Sequence, residues 1–153
     1  MTNSTIKNHT NPEQFKVLLK KHSLKATAQR MAVHEAMMQL GHASADMVTE
    51  AIRRNGKTKV TVASVYNILT QLALLGIYDY RLSSNNKMYF DINTFPHMHI
   101  YDRESHVYRD VIDDDLMGIV EKHLKHKRFR GFKIEHVDIQ FVGIPSRKKY
   151  QTV

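Results

Sequence analysis

The chain contains no cysteine among its 153 residues. This absence excludes disulfide bonds, thiolate zinc sites and thiol-based redox chemistry. Any metal ion that the chain binds must therefore be held by nitrogen and oxygen ligands. Ten histidines and 15 acidic residues are available for that purpose.

Long apolar runs are absent as well. No run approaches the roughly 20 residues that a membrane-spanning helix needs. The N-terminal segment MTNSTIKNHTNPEQ lacks the apolar stretch of a signal peptide. We therefore expect a cytoplasmic protein with no membrane partner. The hydrophobic fraction of 42% is slightly low but sufficient for one ordinary domain or two small ones.

Acidic residues are few relative to basic ones. The 23 Lys and Arg residues against 15 Asp and Glu residues give a formal net charge of +8. Such an excess favours an anionic partner, and nucleic acid is the first candidate. Net charge alone does not distinguish a DNA-binding protein from a protein that is simply basic. The distinction has to come from local sequence patterns.

Four helices are predicted before Gly76, because four capping residues each precede an apolar stripe with helical spacing. The capping residues are Asn11, Thr27, Ser44 and Thr61. Gly41 is expected to end the second helix and to leave His42 on a turn. The side chains expected to point inward from the second, third and fourth helices are Met31, Ala32, Ala36, Met37, Leu40, Met47, Val48, Ala51, Ile52, Val62, Val65, Leu69 and Leu72.

The outer face of the fourth helix is small, polar and uncharged. Its side chains are Ala63, Ser64, Tyr66, Asn67, Thr70 and Gln71. Such a face suits a helix that enters the DNA major groove, because small residues allow close approach and polar ones can bond base edges. We predict base contacts by Tyr66, Ser64 and Asn67. The predicted phosphate contacts are Lys25, Arg30, Lys57 and Lys59.

A short basic turn, residues 57–59, joins the third helix to the fourth, which is the helix-turn-helix pattern. Two predicted strands, 77–81 and 87–91, follow with turn residues 83–86 between them. Together these elements predict a winged helix. The expected fold class is α+β, with an N-terminal winged helix-turn-helix DNA-binding domain. An α+β domain with no role in DNA binding is the alternative that this pattern leaves open.

The pattern in the second half of the chain predicts a small α/β domain at residues 97–153, after a hinge at residues 93–96. Strands are expected at 97–101, 106–112 and 132–144, the last with a bulge. A helix is expected after the acidic triplet 113–115, with Leu116, Ile119, Val120 and Leu124 on its apolar side. About 55 residues bury little apolar surface alone, so we expect pairing with a second copy. A twofold homodimer suits a palindromic double-stranded DNA operator.

His97 and His99 stand two residues apart in the first of these strands, so their side chains project from the same face. Asp91 lies six residues before the pair and Asp110 eleven after it. Imidazoles with neighbouring carboxylates can bind a divalent metal ion. In a chain of this length with ten histidines, about 0.6 His-x-His pairs are expected by chance. Two structural histidines on a strand are therefore the alternative.

Several segments together resemble the ferric uptake regulator (Fur) family of metal-dependent repressors. They are LKATAQRMAV (24–33), HASADMV (42–48), TVASVYNILTQLALLGI (61–77) and MYFDINTFPHMHI (88–100). The resemblance covers about residues 13–144. It implies a DNA-binding domain at 1–92 and a dimerisation and metal-binding domain at 97–153, joined by the hinge.

The resemblance also implies a regulatory metal site formed by His42, Asp91, His97, His99 and Asp110. We expect one divalent ion per subunit, Fe²⁺ or Mn²⁺ in the cell, with Zn²⁺ binding in vitro. The acids are Asp, as in the peroxide-responsive (PerR-like) branch, which implies oxidation of His42 or His97 by peroxide. The family's structural zinc is not expected, because Asp102 and Ser105 occupy the positions of its C-x-x-C motif.

The expected function is a sequence-specific transcriptional repressor that senses Fe²⁺ or Mn²⁺ status and, as a further option, peroxide. We do not expect an enzyme. Two alternatives remain open at this point. One is a DNA-binding regulator whose metal site does not sense, and the other is a small non-haem iron enzyme, since His and carboxylate ligands also serve iron oxygenases.

Overall fold

A computed structural model describes residues 10–94, 97–134 and 137–146. The chain divides into two compact units, Met1–Phe95 and Pro96–Val153. None of the described helices is long and apolar enough to cross a bilayer. Two residues of the predicted hinge, Phe95 and Pro96, lie outside the described residues.

Four helices make up most of the first unit: α1 (Pro12–Lys21), α2 (Ala28–Leu40), α3 (Ala45–Asn55) and α4 (Val62–Leu74). Each begins after a side chain that accepts a hydrogen bond from the amide of the third helical residue. This bond satisfies an amide that has no partner within the helix. The four caps are Asn11, Thr27, Ser44 and Thr61, so the predicted helix starts are confirmed.

The four helices pack around one apolar core. Its fully buried members include Phe15, Leu19, Val33, Met37, Val48, Val65, Leu69 and Leu72. The prediction was wrong for Leu40, Met47 and Val62, each of which is more than a third exposed. All three lie in the first or last turn of a helix, where the apolar stripe extends past the packed core.

Three short antiparallel strands complete the first unit: β1 (His42–Ser44), β2 (Asp79–Leu82) and β3 (Met88–Asp91), in the order β1-β3-β2. The predicted turn at His42 was wrong, because His42 begins β1. Gly41 adopts a positive φ of 73°, which favours glycine, and its carbonyl accepts a hydrogen bond from the amide of Ile92. A three-residue strand is too short to show an alternating pattern in the sequence.

The second unit contains one helix and three strands: β4 (Met98–Asp102), β5 (Tyr108–Val111), α5 (Asp114–Leu124) and β6 (Gln140–Gly143). The strand order is β5-β4-β6, with β4 antiparallel to β5 and parallel to β6. The predicted long strand at 132–144 was wrong. Gly131 has a φ of 81° and lies within a tight bridge between Phe129 and Phe132, and β6 begins only at Gln140. Residues 135–136 lie outside the described part of the chain.

Apolar side chains of the second unit are largely exposed. On α5 only Met117 is buried, whereas Ile119, predicted to face inward, is strongly exposed. Other exposed apolar residues of this unit are Ile100, Phe132, Ile134, Phe141, Val142 and Ile144. An exposed apolar surface of this extent is typical of a protein–protein interaction site.

A hydrogen-bonded turn follows β4. The carboxylate of Asp102 accepts hydrogen bonds from the hydroxyl of Ser105 at 2.7 Å and from the amide of Glu104 at 2.9 Å. The Ser105 hydroxyl, followed by the Glu104 amide, lowers the pKa of Asp102. These bonds favour the ionised form of the carboxylate.

Truncation of a buried leucine in α4 should separate core packing from helix propensity. Leu69 is fully buried and Leu74 is 77% exposed on the same helix. Leu69→Ala should lower the free energy of unfolding by about 2–5 kcal/mol, because it removes apolar contacts and leaves a cavity. Leu74→Ala is the matched control and should change it by less than about 0.5 kcal/mol in urea unfolding. Equal effects would contradict the assigned inner face of α4.

Acid should selectively remove the contribution of Asp102 to stability. Because the folded-state pKa is below the unfolded value of about 4, the stabilisation is present above that pH and is lost as the pH falls through the folded value. Asp102→Asn should therefore lower the urea midpoint at pH 7. The difference from wild type should shrink below about pH 4. A difference that is independent of pH would show that the charge of Asp102 does not stabilise the turn.

Candidate metal centre and nucleic-acid interface

The first unit brings His42 and Asp91 together. The two residues are direct partners in the β1–β3 ladder, and His42 Nε2 lies 3.0 Å from Asp91 Oδ2. The other oxygen of Asp91 accepts a hydrogen bond from the amide of Asn93 at 2.9 Å. The Asp91 side chain is only 1% exposed. Burial of a carboxylate is costly unless a partner compensates for it, and the imidazole and the amide fill that role.

The second unit brings His97, His99 and Asp110 together. His97 Nε2 lies 3.1 Å, and His99 Nε2 3.6 Å, from the same oxygen, Asp110 Oδ1. The two imidazole centroids are 4.4 Å apart. Both histidines are buried, and His99 is the direct partner of Asp110 in the β4–β5 ladder. The prediction that the two histidines share one face is confirmed.

Three residues around His99 were not predicted from the sequence. Asp138 Oδ1 lies 3.7 Å from His99 Nδ1. The ring of Tyr108 stands nearly perpendicular to the imidazole at 6.3 Å, and its hydroxyl is a hydrogen-bond partner of Gln140 Nε2 at 3.3 Å. Asp138 alternates with the apolar Val137 and Ile139, but only the parallel pairing of β6 with β4 brings it to the histidine.

The donor types of both clusters fit a divalent transition metal. The first cluster offers one imidazole and one carboxylate, and the second offers two imidazoles and one carboxylate. In the second cluster, one ligand atom from each residue lies within 4.8 Å of the others. Neutral imidazole and carboxylate are common ligands of Fe²⁺, Mn²⁺ and Zn²⁺. Neither cluster alone supplies the four ligands of a tetrahedral site.

The outer face of α4 carries the predicted base contacts. Asn67 is exposed, and Tyr66 is 44% exposed with its ring edge against Phe90, 6.3 Å between centroids. Ser64 also lies near this face, but its hydroxyl donates a hydrogen bond to the carbonyl of Thr61 and accepts one from the Thr61 amide. Ser64 therefore contributes to the N-terminal cap of α4.

Three of the four predicted phosphate contacts, Lys25, Lys57 and Lys59, are exposed on the first unit. The fourth, Arg30, bonds within the unit, because its guanidinium donates to the carbonyl of Lys25 at 2.9 Å and to Gln71 Oε1 at 3.1 Å. Arg30 thereby links α2 to α4, a role that its sequence position did not indicate. All four phosphate contacts stay predictions.

Positive charge is concentrated in the first unit. Residues 1–95 carry 12 Lys and Arg against six Asp and Glu, a net charge of +6. Residues 96–153 carry 11 against nine, a net charge of +2. The unit that contains α4 therefore attracts polyanions more strongly.

Comparison with known proteins gives one family. The family model described as the ferric uptake regulator family matches residues 21–142. No curated protein sequence matches the chain.

Three solved structures illustrate the similarity. The ferric uptake regulator of Vibrio cholerae has a TM-score of 0.72 and 19% identity, over 86% of this chain and 99% of that chain. The manganese-containing regulator of Pseudomonas aeruginosa has a TM-score of 0.69 and 19% identity, over 86% and 98%. The peroxide stress regulator of Campylobacter jejuni has a TM-score of 0.64 and 26% identity, over 86% and 96%.

The family match extends through every described helix of the first unit after α1 and through both His and Asp clusters. The described architecture, four helices and a three-stranded sheet followed by a second sheet and one helix, is α+β. The chain therefore belongs to the ferric uptake regulator family, whose members are metal-responsive transcription regulators and not enzymes.

Proposed function

We propose that this chain is a metal-dependent repressor that binds a palindromic double-stranded DNA operator as a homodimer. The first unit is then the DNA-binding domain, and the second is the dimerisation and metal-binding domain. One observation carries the proposal, which is that each unit holds imidazole and carboxylate groups that can serve as parts of a donor set for a divalent ion. These parts are His42 with Asp91, and Asp110 with His97 and His99.

One divalent ion per subunit is the proposed cofactor. The two clusters together offer three imidazoles and two carboxylates, a five-ligand set that neither reaches alone. When bound, the ion supplies the positive charge that allows Asp91 and Asp110 to converge. These ligands suit Fe²⁺ and Mn²⁺, and tight Zn²⁺ binding in vitro follows from the general affinity order. A thiolate zinc site is excluded, because the chain has no cysteine.

The division of ligands between the units links metal binding to DNA binding. His42 and Asp91 belong to the same unit as α4, so an ion that also takes ligands from the second unit ties α4 to that unit. In a twofold dimer this restriction sets the separation of the two α4 helices, and DNA half-sites have a defined separation. The coupling needs about 1–3 kcal/mol to act as a switch.

The groove contacts are assigned to the exposed face of α4. Tyr66 and Asn67 are the proposed base contacts, and Ser64 lies beside them with part of its hydrogen-bonding capacity used in the helix cap. Lys57 and Lys59 precede α4 and are exposed, which suits contacts to phosphate. Lys25 and Arg30 complete the proposed set of contacts to the DNA backbone.

The exposed apolar surface of the second unit supports the homodimer. Ile119 of α5 and Phe141 and Val142 of β6 are among its members. A unit of this size gains stability when such a surface is buried against a second copy. Since no disulfide or thiolate metal site is available, packing has to hold the dimer together.

The proposed signal is Fe²⁺ or Mn²⁺ status, with peroxide as a second candidate. A similar structure contains manganese, and another is a peroxide stress regulator. The two acids of the donor set are both Asp, which resembles the pattern of the peroxide-responsive branch. In a chain without cysteine, the proposed target of oxidation is the imidazole of His42 or His97.

Manganese titration of single-ligand variants tests the shared donor set. Wild type should bind one Mn²⁺ per subunit in calorimetry. His42→Ala and His97→Ala each remove a ligand from a different unit, and each should weaken binding by more than the roughly 10–100-fold that loss of an outer-shell partner costs. His123→Ala, on the exposed end of α5, is the control and should bind as wild type does. Unchanged binding by His42→Ala would confine the site to the second unit.

The same proteins can be tested on an operator selected from random duplexes. The wild-type protein should bind the operator in the presence of Mn²⁺ or Fe²⁺, and a chelator should abolish this binding. Loss of binding with Fe²⁺ plus peroxide, but not with Mn²⁺ plus peroxide, would support peroxide sensing. Operator binding that is indifferent to the chelator would instead support a regulator whose metal site does not sense.

Substitutions in the first unit test the groove assignment. Tyr66→Ala should reduce discrimination between the operator and a scrambled duplex, because it removes a base contact. Lys57→Ala should weaken binding to both duplexes and reduce the slope of log K against log salt by about one. Lys122→Ala on α5 is the matched control and should leave affinity and slope unchanged. If all three variants bind as wild type does, α4 is not the recognition helix.

A further inference from the structure

We propose that Asp138 is a positioning residue that selects the tautomer of His99. Its carboxylate accepts the Nδ1 hydrogen of the imidazole, which leaves the lone pair of Nε2 directed to the side of Asp110. The inference rests on the proposed metal site and adds a residue outside the five-ligand set.

The parallel pairing of β6 with β4 creates the contact. The amide of His99 donates a hydrogen bond to the carbonyl of Ile139 at 3.1 Å, and His99 is the register partner of Gln140. This register holds the residue before Ile139 alongside the imidazole. Asp138 Oδ1 consequently lies 3.7 Å from Nδ1, while Nε2 lies 3.6 Å from Asp110 Oδ1.

The carboxylates of Asp138 and Asp110 lie near opposite nitrogens of the His99 ring. A neutral imidazole carries a single N–H, and the nitrogen that bears the hydrogen is set by its hydrogen-bond acceptor. Nε2 faces the oxygen that it shares with His97, so Nε2 is the donor atom on the proposed metal side. Asp138 lies on the other side of the ring and is therefore not a further ligand.

The surroundings of His99 determine how much a hydrogen-bond acceptor at Nδ1 contributes to the orientation of its ring. His99 is almost fully buried, and the Tyr108 ring stands edge-on beside it. Asp138 is 42% exposed, so its side chain has room to turn. The separation of 3.7 Å is longer than a hydrogen bond, so the proposal requires the Asp138 side chain to move closer when it accepts the N–H. A carboxylate that receives the second ring N–H of a metal-binding histidine orients the ring and raises its basicity as a ligand.

Variants of the full chain test the inference with two readouts. In wild-type apoprotein, ¹⁵N chemical shifts of the His99 ring should report the Nδ1–H tautomer. Asp138→Ala should increase the population of the Nε2–H tautomer, because Asp110 remains beside Nε2, and should weaken Mn²⁺ binding in calorimetry by about 10–100-fold. Asp138→Glu should keep much of the Nδ1–H tautomer and of the Mn²⁺ affinity, because glutamate also provides a carboxylate at this position. Asp115→Ala, an exposed acid at the start of α5, is the control and should change neither readout.

The outcomes separate this inference from the proposed function. If Asp138→Ala keeps both the tautomer and the Mn²⁺ affinity while His99→Ala loses Mn²⁺ binding, the inference is wrong and the metal site stands. If His99→Ala also binds Mn²⁺ as wild type does, both are wrong. Asp138→Leu covers the case in which the alanine variant does not fold. Its branched apolar side chain cannot accept a hydrogen bond, and Mn²⁺ affinity equal to wild type with an unchanged tautomer would again overturn the role of the carboxylate.

Discussion

A histidine lies opposite an aspartate across an antiparallel strand pair in each of the two units. His42 faces Asp91 between β1 and β3, and His99 faces Asp110 between β4 and β5. Both pairs depend on strand register. Because side chains alternate along a strand, a shift of one residue would move the imidazole and the carboxylate to opposite faces of the sheet. Every other feature of the proposed metal centre depends on these two registers.

The β1–β3 and β4–β5 ladders are short, so contacts with other parts of each unit have to stabilise their registers. In the first unit, β1 is only three residues long, and the helical core supports it together with the bond between Ile92 and Gly41. In the second unit, β6 adds a parallel neighbour to β4, and Asp138 lies two residues before the start of β6. Burial of the Asp91 carboxylate is costly, and the His42 imidazole and the Asn93 amide compensate for it.

Strand β3 connects the proposed metal ligands of the first unit to the proposed base contacts on α4. Phe90 packs against the edge of Tyr66 on α4, and the next residue, Asp91, contacts His42. The contact with Tyr66 and the contact with His42 are therefore made by adjacent residues of one strand. Val65 and Leu69 anchor the inner side of α4, which leaves its outer face available for another molecule.

The sequence by itself determined the helix starts, the common face of His97 and His99, and membership of the family. These features depend on neighbours within a few residues, on caps, spacing and contiguous motifs. It also indicated all five proposed ligands, although by resemblance and not by geometry. The wrong core assignments, Leu40, Met47 and Val62, show that periodicity does not reveal where a packed core ends.

Only the tertiary structure decided which distant residues meet. The pairing of His42 with Asp91, the bond of Arg30 to Gln71, and the approach of Asp138 to His99 are examples. The partners in these contacts are 39 to 49 residues apart, and local pattern carries no information about strand pairing or helix packing over that separation. The physical reason is that such contacts depend on the register of strands and the packing of helices, which form only when the whole unit folds.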